Sequence, residues 1–255
     1  MNKHHKTSWN DVAGWYDQLV GEKGSDYHEK VIVPGTLKML VPRRGEKILD
    51  LACGQGILCR ELAKAGTEVV GIDAAPNLIK AARERSTGHK SISYFVSDAA
   101  DLRPLADSRF DAVACVMAIQ NIEPLGKVLA ESARVLKKGG RFLIVTSHPC
   151  FRIPRQSGWG FDDQRQMQYR RVDSYLSELK IPIKMHPGYD PGKITWTFHR
   201  PLGAYFSALN KAGFAVSRLE EWASHRHSLP GAKAKAENRS RQEIPLFLAL
   251  LAVKY

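Results

Sequence analysis

The chain has 255 residues, 44% of them apolar and 25% charged, which suits a globular protein with a sizeable core. It contains no 18-residue apolar run, which excludes a transmembrane helix. Its four cysteines show no C-x-x-C pair, which argues against a disulfide scaffold or a structural metal. The net charge of +12 is uneven: residues 1–149 carry 21 Lys/Arg against 17 Asp/Glu, and residues 150–255 carry 17 against 9. A basic C-terminal half suits an acidic partner such as nucleic acid, or simply a solvated surface.

In chain order, the polar start MNKHHKTSWND has no signal-peptide core, so a cytoplasmic location is expected. Two amphipathic segments, 8–20 and 26–40, read as helices. Strands rich in β-branched and aromatic residues follow at 46–51, 67–73, 92–98, 110–117 and 140–147. Helical spacing fills 57–66, 76–86 and 124–140, with Pro76 and Pro124 at first-turn positions and Gly66 and Gly139–Gly140 at C-cap positions. Strand–helix alternation predicts an α/β fold, a parallel sheet with helices on both faces. The pattern breaks over 149–195, where a short helix is expected near VDSYLSELK (172–180). It resumes with a helix at 201–214 and strands at 215–222 and 244–255. The basic stretch 225–242 reads as a mobile loop. One domain is expected, with 1–45 as a helical cover and 149–200 as an insertion.

ILDLACGQG (48–56) runs from a strand through a tight turn into a helix, and Gly54 and Gly56 allow close approach to a ligand. Cys59 stands where a dinucleotide fingerprint needs its third glycine, which disfavours a nicotinamide cofactor. Asp50, Asp73 and the Ser97–Asp98–Ala99 stretch close three successive strands, where α/β sheets bind ligands. A carboxylate at Asp73 suits ribose hydroxyls, and Ser97–Asp98–Ala99 suits an adenine amino group.

These motifs, with VVGIDAAPNLIKAA, FDAVACVMAIQNI and ESARVLKKGGRFLIVTS, resemble the class I S-adenosylmethionine-dependent methyltransferases. The resemblance is dense over 46–147 and looser over 215–255. It implies a Rossmann-like seven-stranded sheet whose last inserted strand is antiparallel. It also implies S-adenosylmethionine as cofactor, with its methionine end near Ala52, Cys53 and Gly54, its ribose on Asp73, and its adenine near Ala74, Asp98 and Ala99. Val116 closes the fourth strand, and the resemblance puts Tyr16 or Tyr27 near the methionine end. Ala52 departs from the glycine common there.

The cofactor brings an activated methyl group, so the chain must position an acceptor and, where needed, remove its proton. CVMAIQNIEP after the fourth strand lacks the Asn/Asp-Pro-Pro-aromatic run of enzymes that methylate base amines. His148 and His199 are the candidate bases, although His148 equally suits a hydrogen bond within the turn TSHPC. Cys150 as a nucleophile lacks a second cysteine. Trp196, Arg200 and Tyr205, with Phe198 and Phe206, are placed to wall an acceptor or to form a small apolar core. The expected activity is methylation of a small molecule at O or N. RNA is the alternative acceptor, and a non-catalytic S-adenosylmethionine-binding protein is a third reading. No metal or membrane partner is expected, and the chain would be a monomer or homodimer.

Overall fold

In a computed structural model the described residues are 9–21, 24–184, 192 and 194–255. The polar start read from residues 1–8 and part of the insertion lie outside them. A 3₁₀ turn, Asn10–Val12, leads into helix α1 (Ala13–Val20). A wide π turn, His28–Ile32, leads into α2 (Val33–Leu40). Strands and helices then alternate: β1 (Lys47–Leu51), α3 (Ile57–Lys64), β2 (Glu68–Asp73), α4 (Pro76–Arg85), β3 (Ile92–Val96), β4 (Phe110–Val116), α5 (Leu125–Val135) and β5 (Leu136–Ser147). The insertion forms β6 (Ser157–Asp162), β7 (Met167–Val172), β8 (Leu179–Lys184) and β9 (Ile194–His199). The chain closes with α6 (Leu202–Lys211), β10 (Phe214–Trp222), α7 (Ala234–Glu243) and β11 (Phe247–Lys254). No helix among the described residues is long and apolar enough to cross a membrane.

Seven strands form one sheet in the order β10-β11-β5-β4-β1-β2-β3. β1 to β5 run parallel, while β11 pairs antiparallel with both β5 and β10. Both faces are covered, because alternate strand residues enter two separate cores. Leu49 and Leu51 pack with α5 and α6, whereas Ile48 and Val69 pack with α2, α3 and α4. The strand-order reversal falls between β1 and β4, so the strand tips beside it open a crevice.

Three expectations fail locally. Residues 172–180 form no helix: Val172 ends β7 opposite Ser157, and Leu179 begins β8 opposite His199, so cross-strand pairing wins over helical spacing. Gly139 and Gly140 cap nothing, because α5 ends at Val135 and β5 starts at once with Leu136. The stretch 225–242 contains α7, which Ser240 ties to the insertion by donating from Oγ to Gln168 Oε1 at 2.5 Å.

Gly71, in the middle of β2, shows how tightly the sheet is packed under the ligand turn. A Cβ there would stand 2.7 Å from the Tyr94 ring and 2.9 Å from Cys59 Sγ. Gly71→Ala is therefore expected to cost about 1–3 kcal/mol by overpacking. A lowered urea midpoint with an unchanged slope would show it, and an unaltered midpoint would mean the neighbours shift freely.

Candidate active site

The turn after β1 holds Ala52 at φ +59°, Gly54 at +55° and Gly56 at +80°. Ala52 thus adopts a conformation that ordinarily favours glycine, at a cost of about 1–2 kcal/mol. Cys53 N–H donates to the Ile72 carbonyl at 2.8 Å, fastening the turn to β2. Asp73 completes the fastening: Oδ2 accepts from Gly54 N–H at 3.0 Å and Oδ1 from Ala75 N–H at 2.8 Å. Each carboxylate oxygen keeps a further lone pair for a ligand hydroxyl.

Asp50 lies beneath the turn, almost fully buried, and accepts the Cys59 thiol at 3.1 Å. Burial pushes its carboxyl up to about 7 despite that bond. The native state therefore keeps a proton there that the unfolded chain releases near pH 3.9. Between those values the unfolded chain binds fewer protons, so this group's contribution is full below about pH 3.9 and is lost as pH rises through 7. Ligand-free protein is expected to lose urea stability between pH 5 and pH 8, and Asp50→Asn to flatten that decline. Parallel profiles for the two proteins would refute it.

The three acid-bearing tips share a cavity of about 610 Å³, within the range of small-molecule sites. Asp50, Ala52, Cys53, Gly54, Asp73, Ala74, Ser97, Asp98, Ala99 and Val116 all line it. Gly56 does not; it is the N-cap of α3, and a side chain there would collide with the Tyr94 hydroxyl. The N-terminal cover contributes Trp9, Tyr16 and His28. Tyr16 lies edge-on to Trp9, with ring centroids 5.5 Å apart. Burial, and secondarily the charge of Asp73, pushes its phenol up to about 12, so it stays a donor. Gln55 Nε2 donates to the Gly21 carbonyl, and Arg85 pairs with Asp17 at 2.7 Å, which hold the cover in place. Tyr27 faces away from the cavity. Its hydroxyl meets Ser224 Oγ at 3.0 Å and its ring packs on Phe247 and His225.

These groups fit S-adenosylmethionine. Carboxylates at two neighbouring strand tips would accept from a ribose and an amine, a small residue and a glycine shape the turn, and the volume suffices. Asp73, Asp98, Tyr16 and the turn 52–54 are the residues that would hold it.

On the acceptor side the two candidate histidines separate. His148 is buried but does not line the cavity. Its Nδ1 accepts Cys150 N–H at 3.2 Å, which leaves Nε2–H to donate to Glu221 at 2.7 Å on β10. Burial holds it below the usual histidine value, hence neutral, and both ring nitrogens are engaged. Cys150 is likewise outside the lining. His199 lines the cavity and donates Nε2–H to the Tyr175 carbonyl at 2.7 Å. That bond fixes the tautomer in which Nδ1 carries the free lone pair.

The acceptor wall is partly as expected. Tyr205 and Phe198 line the cavity, whereas Trp196 and Phe206 are each 37% exposed and do not. Arg200 lines it too, but its guanidinium serves the carbonyls of Ile119 at 3.2 Å and Ile122 at 2.8 Å and so braces the loop after β4. Sequence reasoning missed the amides of that loop. Gln120 Oε1 accepts from Thr146 at 2.9 Å, and Asn121 Oδ1 accepts from Thr197 at 3.0 Å, so both are cavity residues. Their place just beyond the fourth strand was the available signal. Arg152 carried none, and His28 only its place on a helix expected to cover the cofactor.

Residues 49–144 match the family model described as a methyltransferase domain. The chain is 35% identical over 252 residues to the demethylmenaquinone methyltransferase of Paenarthrobacter aurescens, across 93% of this chain and 94% of that protein. It is 37% identical over 144 residues to the demethylmenaquinone methyltransferase of Tropheryma whipplei. That match takes in 55% of this chain and 58% of the relative, so the chain spans little more than half of that protein's length. Among solved structures, an S-adenosylmethionine-dependent methyltransferase from Mesorhizobium loti superposes with a TM-score of 0.71 at 26% identity, over 92% of this chain and 100% of that one.

Proposed function

The chain belongs to the class I S-adenosylmethionine-dependent methyltransferases, and from that membership we propose that it methylates an oxygen or nitrogen of a small-molecule acceptor. The observation that carries the acceptor side is the single cavity joining the acid-tipped strands to His199, Phe198 and Tyr205. Residues of the insertion, Ile183, Thr195 and Thr197, line the same space, and a concave site of this volume suits a small molecule. Names of the relatives point the same way.

Held by Asp73, Asp98, Tyr16 and the turn 52–54, S-adenosylmethionine would supply an activated methyl group for transfer to the acceptor. The chain's own part is to orient the acceptor, exclude water and take a proton. His199 Nδ1 accepts the proton from the acceptor's O–H or N–H, and the Tyr175 carbonyl steadies the resulting imidazolium through Nε2–H. Thr197, Asn121, Thr146 and Gln120 offer a ring of polar groups that orients the acceptor. In this reading the N-terminal helices cover the cofactor and the insertion forms the acceptor side. A cytoplasmic setting would keep the four free cysteines reduced.

Incubating the protein with cell extract and methyl-labelled cofactor tests the proposal. Label is expected in the small-molecule fraction. Label confined to RNA or protein would overturn it.

A further inference from the structure

The insertion side of the cavity carries an unspent cation. Arg152 lines the cavity, yet its Nε is buried with no hydrogen-bond partner, and no carboxylate pairs with its guanidinium among the described residues. Its Cζ lies 5.3 Å from the centre of the Trp159 ring. Arg170, paired with Trp159 across the β6–β7 ladder, places its own Cζ 5.2 Å from the same ring. Arg170 is fixed there, with Nε donating to the Phe151 carbonyl at 2.7 Å and Nη2 to Ser157 Oγ at 2.8 Å.

Elsewhere the protein satisfies its half-buried arginines. Arg85 meets Asp17 and Arg134 meets Glu131, and Arg141, whose Nε is also unpartnered, still has the Glu46 carboxylate at its Nη2. Arg200 spends its guanidinium on two carbonyls. At Arg152 burial and the neighbouring charge of Arg170 bring the guanidinium down to about 10, the mark of a cation without an anion. A buried unpaired charge is costly, and the guanidinium fork matches a carboxylate or phosphate. Asp73 and Asp98 at the strand tips repel an anionic group and leave it to the insertion side, whereas Asp50 keeps its proton and Glu123, the fourth acid of the lining, is exposed on the loop after β4.

We infer that Arg152 forms an oxyanion subsite that holds a carboxylate or phosphate carried by the methyl acceptor. Arg170, which does not line the cavity, adds only its neighbouring charge. The inference rests on the methyltransferase reading and narrows its substrate class to anionic small molecules. The polarity of the cavity then sets direction: the acceptor's anionic group goes to the insertion and its nucleophilic end goes toward His199 and the cofactor.

The test is calorimetry on the full chain saturated with S-adenosylhomocysteine, using benzoate, phenyl phosphate, inorganic phosphate and neutral benzamide as probes. Benzoate or phenyl phosphate is expected to bind at least about tenfold more tightly than benzamide. Arg152→Ala should remove that preference while S-adenosylhomocysteine affinity and the melting temperature hold, and Arg152→Lys should retain part of it. Equal binding of benzoate, phenyl phosphate and benzamide, or an undiminished preference in Arg152→Ala, overturns the subsite alone. Inorganic phosphate binding as tightly as phenyl phosphate overturns it too, since the site would then take a free anion. A chain that binds no S-adenosylhomocysteine overturns the methyltransferase reading and this inference together.

Discussion

Asp73→Asn is expected to weaken S-adenosylhomocysteine binding by about 10–100-fold, the loss of one or two hydrogen bonds to a charged acceptor. The carboxylate has two tasks. Its oxygens take the Gly54 and Ala75 N–H groups, which shapes the turn at residues 52–54. Their remaining lone pairs face the cavity. Asparagine keeps one oxygen for Ala75 but presents an NH₂ where Gly54 also donates, so both the turn and the ribose contact suffer. The sheet beneath is untouched, because Leu51 and Ile72 lie in the core behind the turn. Calorimetry should therefore show lost affinity in a protein whose unfolding free energy falls by no more than about 1–2 kcal/mol. Full affinity in both Asp73→Asn and Asp73→Ala would remove Asp73 from the cofactor site.

His199→Ala is expected to lower kcat by about 10²–10⁴-fold, the usual worth of a general base, with cofactor affinity kept within about twofold. His148→Ala should do the opposite. It removes a buried ring bonded to Glu221 and Cys150, so it should cost about 1–3 kcal/mol of stability and leave kcat nearly unchanged at a temperature where the variant is folded. The outcome that defeats the assignment is an active His199→Ala enzyme together with an inactive, fully folded His148→Ala enzyme.

That contrast shows where sequence reading stops. His148 follows β5 and His199 ends β9, each shortly before a proline, and nothing local distinguishes their roles. What separates them is Glu221, 73 residues beyond His148 and carried on β10, and the Tyr175 carbonyl, 24 residues before His199. The Arg152 site is harder still to read, since its meaning lies in the carboxylate it lacks. Tyr16 and Tyr27 show the same limit: both sit in helix-forming cover segments, but the first enters the cavity and the second packs on Phe247.

The sequence by itself determined the central sheet, the order of its strands and helices, and the three acid-bearing tips. Buried parallel strands must be apolar throughout and their helices must repeat every three to four residues, so both leave a local trace. A ligand turn needs small residues and a carboxylate at fixed offsets, which is local as well. Only the tertiary structure decided the acceptor side. The hairpins of the insertion are held by cross-strand pairs, such as Val172 with Ser157 and Leu179 with His199, and pairing of that kind overrides the helical spacing at 172–180. Which polar group is satisfied, and which is left facing the cavity, depends on partners brought together from distant parts of the chain.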